Sequence, residues 1–157
     1  MTDERPKFAA DEMLGSLSRW LRIMGYDTTY EKDMEDADIL RFAEVEGRTL
    51  LTRDKDLVRR TKGNGLYIES DDLSEQLRQV FEAFDLRMDE ALTRCTVCNG
   101  DLVIVEPSEV KDKVPVGALE INDEFYRCTK CGKIYWKGSH WDNILNRLGA
   151  LNPDKSR

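Results

Sequence analysis

The first 86 residues alternate between short apolar segments typical of strands and longer segments typical of helices. The predicted strands are KFAAD, TTY, TLLT and LYIES; the predicted helices are EMLGSLSRWLRIMGYD, DADILRFAEVEGR, DKDLVRRTKGNG and DDLSEQLRQVFEAFDL. In the first of these helices, apolar side chains recur at helical spacing at Leu14, Leu17, Leu21 and Met24. Strict alternation of strand and helix predicts an α/β fold, with a parallel sheet flanked by helices.

The alternation ends after Leu86, and from Cys95 the sequence predicts short strands and turns. A short helix, WDNILNRLG, and a polar tail, NPDKSR, follow them. We therefore predict an α/β domain at residues 1–90 and a small β module with the helix and tail at residues 91–157. Acidic and basic side chains balance from Cys95 onward, so the net charge of −7 arises in the first part. A charge of this sign argues against a protein that coats nucleic acid nonspecifically.

The four cysteines form two Cys-x-x-Cys pairs, Cys95 with Cys98 and Cys128 with Cys131. Two such turns can place four sulfurs around one tetrahedral Zn²⁺. A single pair would also suit a redox dithiol, but two pairs favour a metal site. With all four positions filled by protein, the Zn²⁺ would be structural and would leave no open position for water.

Carboxylates follow two of the predicted strands. Asp11 follows the first strand, Asp54 and Asp56 follow TLLT, and Asp38 lies near the start of the second helix, with Asp36 as the alternative. Functional groups of parallel sheets collect beyond the carboxyl ends of the strands. Three or four carboxylates at one edge suit Mg²⁺ or Mn²⁺ and the hydrolysis of a phosphodiester bond. The simpler interpretation is that each aspartate caps a helix or offsets its dipole.

Basic and aromatic side chains predict contacts to RNA. The candidates are Arg19, Arg22 and Arg53 in the first domain, and Lys133, Trp136, Lys137 and the single histidine, His140, in the second. Arginines suit substrate phosphates, and rings beside lysines suit the bases of single-stranded RNA. The alternatives are a solvated helix face for Arg19 and Arg22, and packing between the two domains for Trp136.

Three stretches together, FAADEMLGSLSRWLRIMGYD, GRTLLTRDKDL and CTKCGKIYWKGSHW, resemble the Mut-seven C-terminal ribonuclease family. The resemblance covers residues 7–145 and implies a PIN-like parallel sheet flanked by helices, followed by a small β zinc ribbon. It also implies a metal-dependent ribonuclease whose acidic site falls on Asp11, Asp38 and Asp54, with Asp56 as a fourth member. The implied metals are a structural Zn²⁺ and a catalytic Mg²⁺ or Mn²⁺.

These observations predict an endoribonuclease that acts on single-stranded RNA. The alternative is a non-catalytic zinc-ribbon RNA-binding module with an inactive PIN-like domain. A receiver domain is disfavoured because no fifth strand ending in lysine precedes the cysteines. The N-terminus is too charged for a signal peptide, and no apolar run approaches the roughly 20 residues of a membrane helix, so a cytoplasmic protein is expected. The RNA sequence cut, activity on DNA, the oligomeric state and a regulatory protein partner are left open.

Overall fold

The computed structural model of the protein describes residues 5–88, 90–138 and 141–151. Its first part is built on a four-stranded parallel sheet in the order β2-β1-β3-β4. The strands are β1 (Phe8–Ala10), β2 (Thr28–Tyr30), β3 (Thr49–Thr52) and β4 (Gly65–Tyr67). The parallel sheet predicted from the alternation is therefore confirmed, and β1 and β3 lie side by side at its centre.

Four helices cover the two faces of this sheet. They are α1 (Gly15–Ile23), which follows a short 3-10 turn at Glu12–Leu14, α2 (Asp36–Glu46), α3 (Lys55–Arg60) and α4 (Leu73–Phe84). Successive strand residues point to opposite faces, so Leu51 packs with α1 and α4 while Leu50 packs with α2 and α3. Within the described ranges, no helix is long and apolar enough to cross a membrane.

The second sheet is small and antiparallel, in the order β5-β6-β7. Its strands are β5 (Leu102–Val105), β6 (Phe125–Cys128) and β7 (Ile134–Tyr135). Between β5 and β6 the chain forms two short helices, α5 (Pro107–Val110) and α6 (Val116–Ile121), where the sequence predicted only strands and turns. They close a small core in which Val110 packs beside Val105 and Phe125.

The last helix, α7 (Trp141–Leu151), confirms the helix predicted there. It packs against α4, and its Leu148 is 1% exposed within the core of the first sheet. The Arg147 guanidinium lies 5.0 Å from the centre of the Trp20 ring of α1. After the small sheet the chain therefore returns to the first core. The tail NPDKSR lies outside the described residues, and the division at residue 90 stays a prediction.

Candidate functional site

Two of the predicted carboxylates lie at the carboxyl edge of the parallel sheet. Asp11 follows β1 directly, and Asp54 lies two residues beyond the neighbouring strand β3. The fully buried Thr52 connects them: its Oγ1 donates to Asp11 Oδ2 at 2.5 Å and accepts the Asp54 backbone N–H at 3.1 Å. The first and third strands thus deliver two carboxylates to one place, as the sequence predicted.

Both aspartates also begin helical turns. Asp11 Oδ1 accepts the N–H of Met13 at 3.1 Å. Asp54 Oδ1 accepts the N–H groups of Asp56 at 2.9 Å and of Leu57 at 3.3 Å. The capping interpretation is therefore confirmed for both residues. Each cap uses only Oδ1. Oδ2 of Asp54 is therefore compatible with cation binding, and Oδ2 of Asp11, which accepts the Thr52 hydroxyl, keeps one lone pair for a cation.

The acidic start of α2 does not serve as a cap. The N-cap residue is Glu35, whose side chain makes no capping hydrogen bond, and Asp36 and Asp38 both lie in the first turn. Asp36 Oδ2 lies 3.7 Å from the Arg60 guanidinium. The side chain of the exposed Asp38 makes no hydrogen bond or ion pair within the described chain. Of the two candidate carboxylates, Asp38 is therefore the one whose side chain is not engaged in an ion pair.

The predicted carboxylates do not form a tight cluster. In the part of the chain that the structure describes, no three carboxylates have oxygens that all lie within 4.8 Å of one another. Asp56 is 77% exposed and pairs with Arg59 on its own helix. Like charges repel, so close approach of several carboxylates requires a cation between them. Thr52 links Asp11 to Asp54, whereas no hydrogen bond or ion pair in the described chain links the side chain of Asp38 or Asp56 to either of them.

Arg22 is buried, although both the predicted contact with RNA and the alternative of a solvated helix face required it to be exposed. Only 8% of Arg22 is exposed. The first cysteine loop, residues 95–99, covers α1 on the side away from its leucines. Its Nε donates to Thr28 O at 2.8 Å, and its Nη1 donates to Thr96 O at 2.9 Å. Arg19, one turn earlier, is exposed and has no partner in the described chain. Of the two arginines, only Arg19 is available to a substrate.

Arg53 is likewise engaged with the protein backbone. Its Nε donates to Ile68 O and its Nη2 to Glu69 O, each at 3.2 Å. These bonds fix the segment that follows β4 and direct the guanidinium along the sheet edge. His140, which was also predicted to contact RNA, lies outside the described residues.

The four cysteines form a compact set. Their sulfurs all lie within 4.8 Å of one another, with Cys95 Sγ 3.7 Å from Cys131 Sγ and Cys98 Sγ 3.3 Å from Cys128 Sγ. Zn–S bonds of about 2.3 Å in a tetrahedron place sulfurs about 3.8 Å apart, so the set could hold Zn²⁺. This is the cluster that the two Cys-x-x-Cys pairs predicted.

The Cys128 sulfur is prepared to carry negative charge. Burial raises the pKa of its thiol, but the backbone N–H groups of Cys131 and Lys130 donate to the sulfur and lower the pKa to about 6. The nearby Tyr135 hydroxyl lies 3.0 Å from Cys95 Sγ and accepts the N–H of Thr96 at 3.1 Å. Hydrogen bonds of this kind orient thiolate ligands around a metal.

A polar network joins the first cysteine loop to the parallel sheet. Asn99 adopts a left-handed backbone conformation, with φ of 70°. Its side chain accepts the Thr28 N–H at 3.0 Å and donates to Asp27 Oδ1 at 2.7 Å. Arg48 donates to the same oxygen at 2.8 Å. Burial raises the pKa of Asp27, but these two donors outweigh it and hold the pKa below its usual value. No sequence motif indicated this network, because its members come from distant segments.

The candidate RNA-binding residues of the small module are partly used in packing. Trp136 is half-buried and lies against Phe125, with ring centres 6.1 Å apart, so it packs within the module rather than between domains. Lys133 Nζ lies 5.5 Å from the centre of the Tyr135 ring. Lys137, beside Trp136, is exposed.

The fold and the sites define an α/β protein with carboxylates at its sheet edge and a four-cysteine centre in a small antiparallel module. The sequence matches the Mut7-C RNAse domain over residues 6–148, nearly the whole chain, and the protein belongs to this family. Membership indicates a ribonuclease domain and implies RNA as the substrate. The curated proteins contain no significant match to the chain.

Proposed function

We propose that the protein is a Mg²⁺- or Mn²⁺-dependent endoribonuclease whose cation is held by Asp11 and Asp54. The observation that supports this most is the buried Thr52 hydroxyl at the carboxyl edge of the sheet, which donates to the Asp11 carboxylate and accepts the backbone N–H of Asp54. Asp38 completes the set from the first turn of α2, and Asp56 is a fourth member that would have to leave Arg59. Hard cations prefer carboxylate oxygens, and these residues offer them.

The proposed reaction is hydrolysis of a phosphodiester bond in single-stranded RNA. A bound divalent cation would supply activation of water and stabilisation of the charge that develops on the phosphate oxygens. Water adds to phosphorus as hydroxide, the bond from phosphorus to O3′ breaks, and O3′ takes a proton, which leaves 5′-phosphate and 3′-hydroxyl ends. The protein's own residues orient the reaction: Thr52 fixes the Asp11 carboxylate, and the start of α3 fixes Asp54.

We further propose that the four cysteines hold a structural Zn²⁺, which suits their free thiols and a reducing cytoplasm. The exposed Arg19, Lys133 and Lys137, together with the free edge of Trp136 and with His140, would contact RNA. Arg22 and Arg53 are left out of this set because backbone carbonyls occupy their guanidinium groups.

A second candidate function is non-catalytic binding of RNA. It is favoured by one observation: the carboxylates are not gathered within 4.8 Å of one another in the described chain. The same module would then bind RNA while the sheet edge stays idle.

An isosteric substitution separates the two functions. Asn caps helices about as well as Asp, so Asp54→Asn keeps the start of α3 while it removes a charge from the sheet edge. We expect unchanged thermal stability without divalent cations, and cleavage of labelled single-stranded RNA with Mn²⁺ at least about 100-fold slower, the equivalent of a loss of about 3 kcal/mol. Cleavage should also require added Mn²⁺.

Asp72→Asn is the matched control. Asp72 caps α4 by accepting the N–H of Glu75 at 3.0 Å, so its substitution makes the same change at another helix start. It should leave cleavage unchanged. A wild-type protein that binds RNA equally well with and without Mn²⁺, cuts nothing, and is indifferent to Asp54→Asn would refute the nuclease and leave the binding module.

A further inference from the structure

A cleft of about 310 Å³ lies between α2 and the end of α3, away from the cysteine centre. It is lined by Ala37, Leu40, Arg41, Ala43, Glu44, Arg60, Thr61, Lys62 and Asn64. Three of these side chains are basic and one, Glu44, is acidic, so the cleft is positively charged. The whole chain has a net charge of −7, so the charge of this cleft is opposite in sign to that of the protein.

The cleft begins beside Asp38 of the proposed active site, since the preceding residue, Ala37, lines it. Helices α2 and α3 both begin at the carboxyl edge of the sheet and run towards its amino edge on the same face. Arg41 lies three residues after Asp38, one turn further along the same side of α2. At 1.5 Å per residue this places it about 5 Å further along the helix axis. A strand of nucleic acid that reaches Asp38 would meet Arg41 next.

The basic groups of the cleft are available to a ligand. Within the described chain, neither the Arg41 nor the Lys62 side chain forms a hydrogen bond or an ion pair, and both residues are exposed. Arg60 lies 3.7 Å from Asp36, and both side chains are more than half exposed. An exposed ion pair of this kind contributes little to stability. Lys62 has a φ of 57°, a left-handed conformation that costs a residue with a Cβ about 1–2 kcal/mol. Lys62 lies between α3 and β4 and lines the cleft.

We propose that this cleft binds phosphates of the single-stranded RNA backbone next to the bond that is cut, through Arg41 and Lys62. The proposal rests on the proposed function and adds a site to it. Exposed cations without carboxylate partners release counterions from a phosphate chain and position it without reading sequence. The cleft therefore sets where the RNA lies and leaves the choice of sequence to other contacts.

The test measures the salt dependence of RNA binding by fluorescence anisotropy, with a labelled oligouridine and no added divalent cation, so that nothing is cut. Each phosphate contact to a single strand contributes about 0.7 to the slope of log K against log salt concentration. The double variant Arg41→Gln with Lys62→Gln should lower the slope by about 1.4. The charge-preserving variant Arg41→Lys with Lys62→Arg should keep the wild-type slope.

The matched control is Arg78→Gln with Arg87→Gln, which removes the same charge from exposed positions on the α1 and α4 side of the sheet. Its slope should equal that of the wild type. An unchanged slope in the cleft variant, or an equal decrease in the control, would overturn the proposal. A failure of the proposed function would give a different result: the wild type would cut no RNA with Mn²⁺, whatever the salt dependence of binding.

Discussion

The Thr52 hydroxyl donates a 2.5 Å hydrogen bond to the Asp11 carboxylate, although the two residues lie 41 positions apart in the chain. Because the same oxygen accepts the backbone N–H of Asp54, one buried atom contacts both the Asp11 carboxylate and the Asp54 backbone. Positioning at the sheet edge therefore depends on a side chain that solvent does not reach.

The first prediction concerns this hydroxyl. Thr52→Val keeps the volume but leaves the Asp54 N–H without its acceptor and Asp11 Oδ2 without its donor, and we expect the free energy of unfolding to fall by about 1–3 kcal/mol. RNA cleavage with Mn²⁺ should fall with it. Thr52→Ser retains the hydroxyl and should recover most of the cleavage. Urea unfolding and a cleavage assay measure the two effects; a valine variant as active as the serine variant would contradict the positioning role.

The second prediction distinguishes the two carboxylates at the start of α2. Asp38→Asn should weaken Mn²⁺ binding and cleavage, because Asp38 has no partner in the described chain, whereas Asp36→Asn should change little. Both substitutions remove a charge from the same helix turn, so each should cost a similar few tenths of a kcal/mol to about 1 kcal/mol of stability. Calorimetric titration with Mn²⁺ checks this, and the reverse ranking would assign the site to Asp36.

The third prediction concerns the cysteine centre. Protein purified without chelator should contain one Zn²⁺ per chain by elemental analysis. Cys128→Ser should lose the ion and unfold the small module while the parallel sheet stays folded, since metal binding and folding are coupled in such modules. Lys130→Gln, an exposed neighbour, should keep the metal. Absence of zinc, or an intermolecular disulfide in its place, would be evidence against the site.

The fourth prediction compares two arginines of α1. Arg22→Met leaves the carbonyls of Thr28 and Thr96 without their buried donor, so the free energy of unfolding should fall by about 3 kcal/mol. Arg19→Met changes an exposed residue on the same helix and should stay within about 0.5 kcal/mol of the wild type. Chemical denaturation measures both, and equal losses would show that Arg22 does not hold the cysteine loop.

Local patterns predicted most of the first part of the fold. The alternation gave β1 to β4 and α1 to α4 because each element shows its own period of apolar residues. The cysteine cluster followed from spacing alone. Helices α5 and α6 have only four and six residues, too few to establish a helical period. Helix α3 is as short as α6, but its place after a strand in the alternation predicted it, whereas α5 and α6 lie outside that alternation.

The errors at the site have another cause. Arg22 was expected to be exposed, either to RNA or to solvent, because the leucines of α1 define only one buried side. Its second covered side comes from Thr96, 74 residues later, which no local pattern reveals. The same holds for Asn99 and Asp27, whose contact joins segments 72 residues apart. Long-range polar contacts of this kind are visible only in the folded chain.

Because α7 packs against the first core, the chain is held to that core both before and after the small antiparallel module. Leu86 before it and Leu148 after it are buried in the same core. Packing of these two residues in one core offsets the entropic cost of bringing the two ends of the module together, and this packing does not depend on the metal. A module that has lost its ion would thus stay tethered beside its docking surface, at an effective concentration on the order of millimolar. Loss and recovery of the metal would then be a local opening and reclosing, independent of protein concentration.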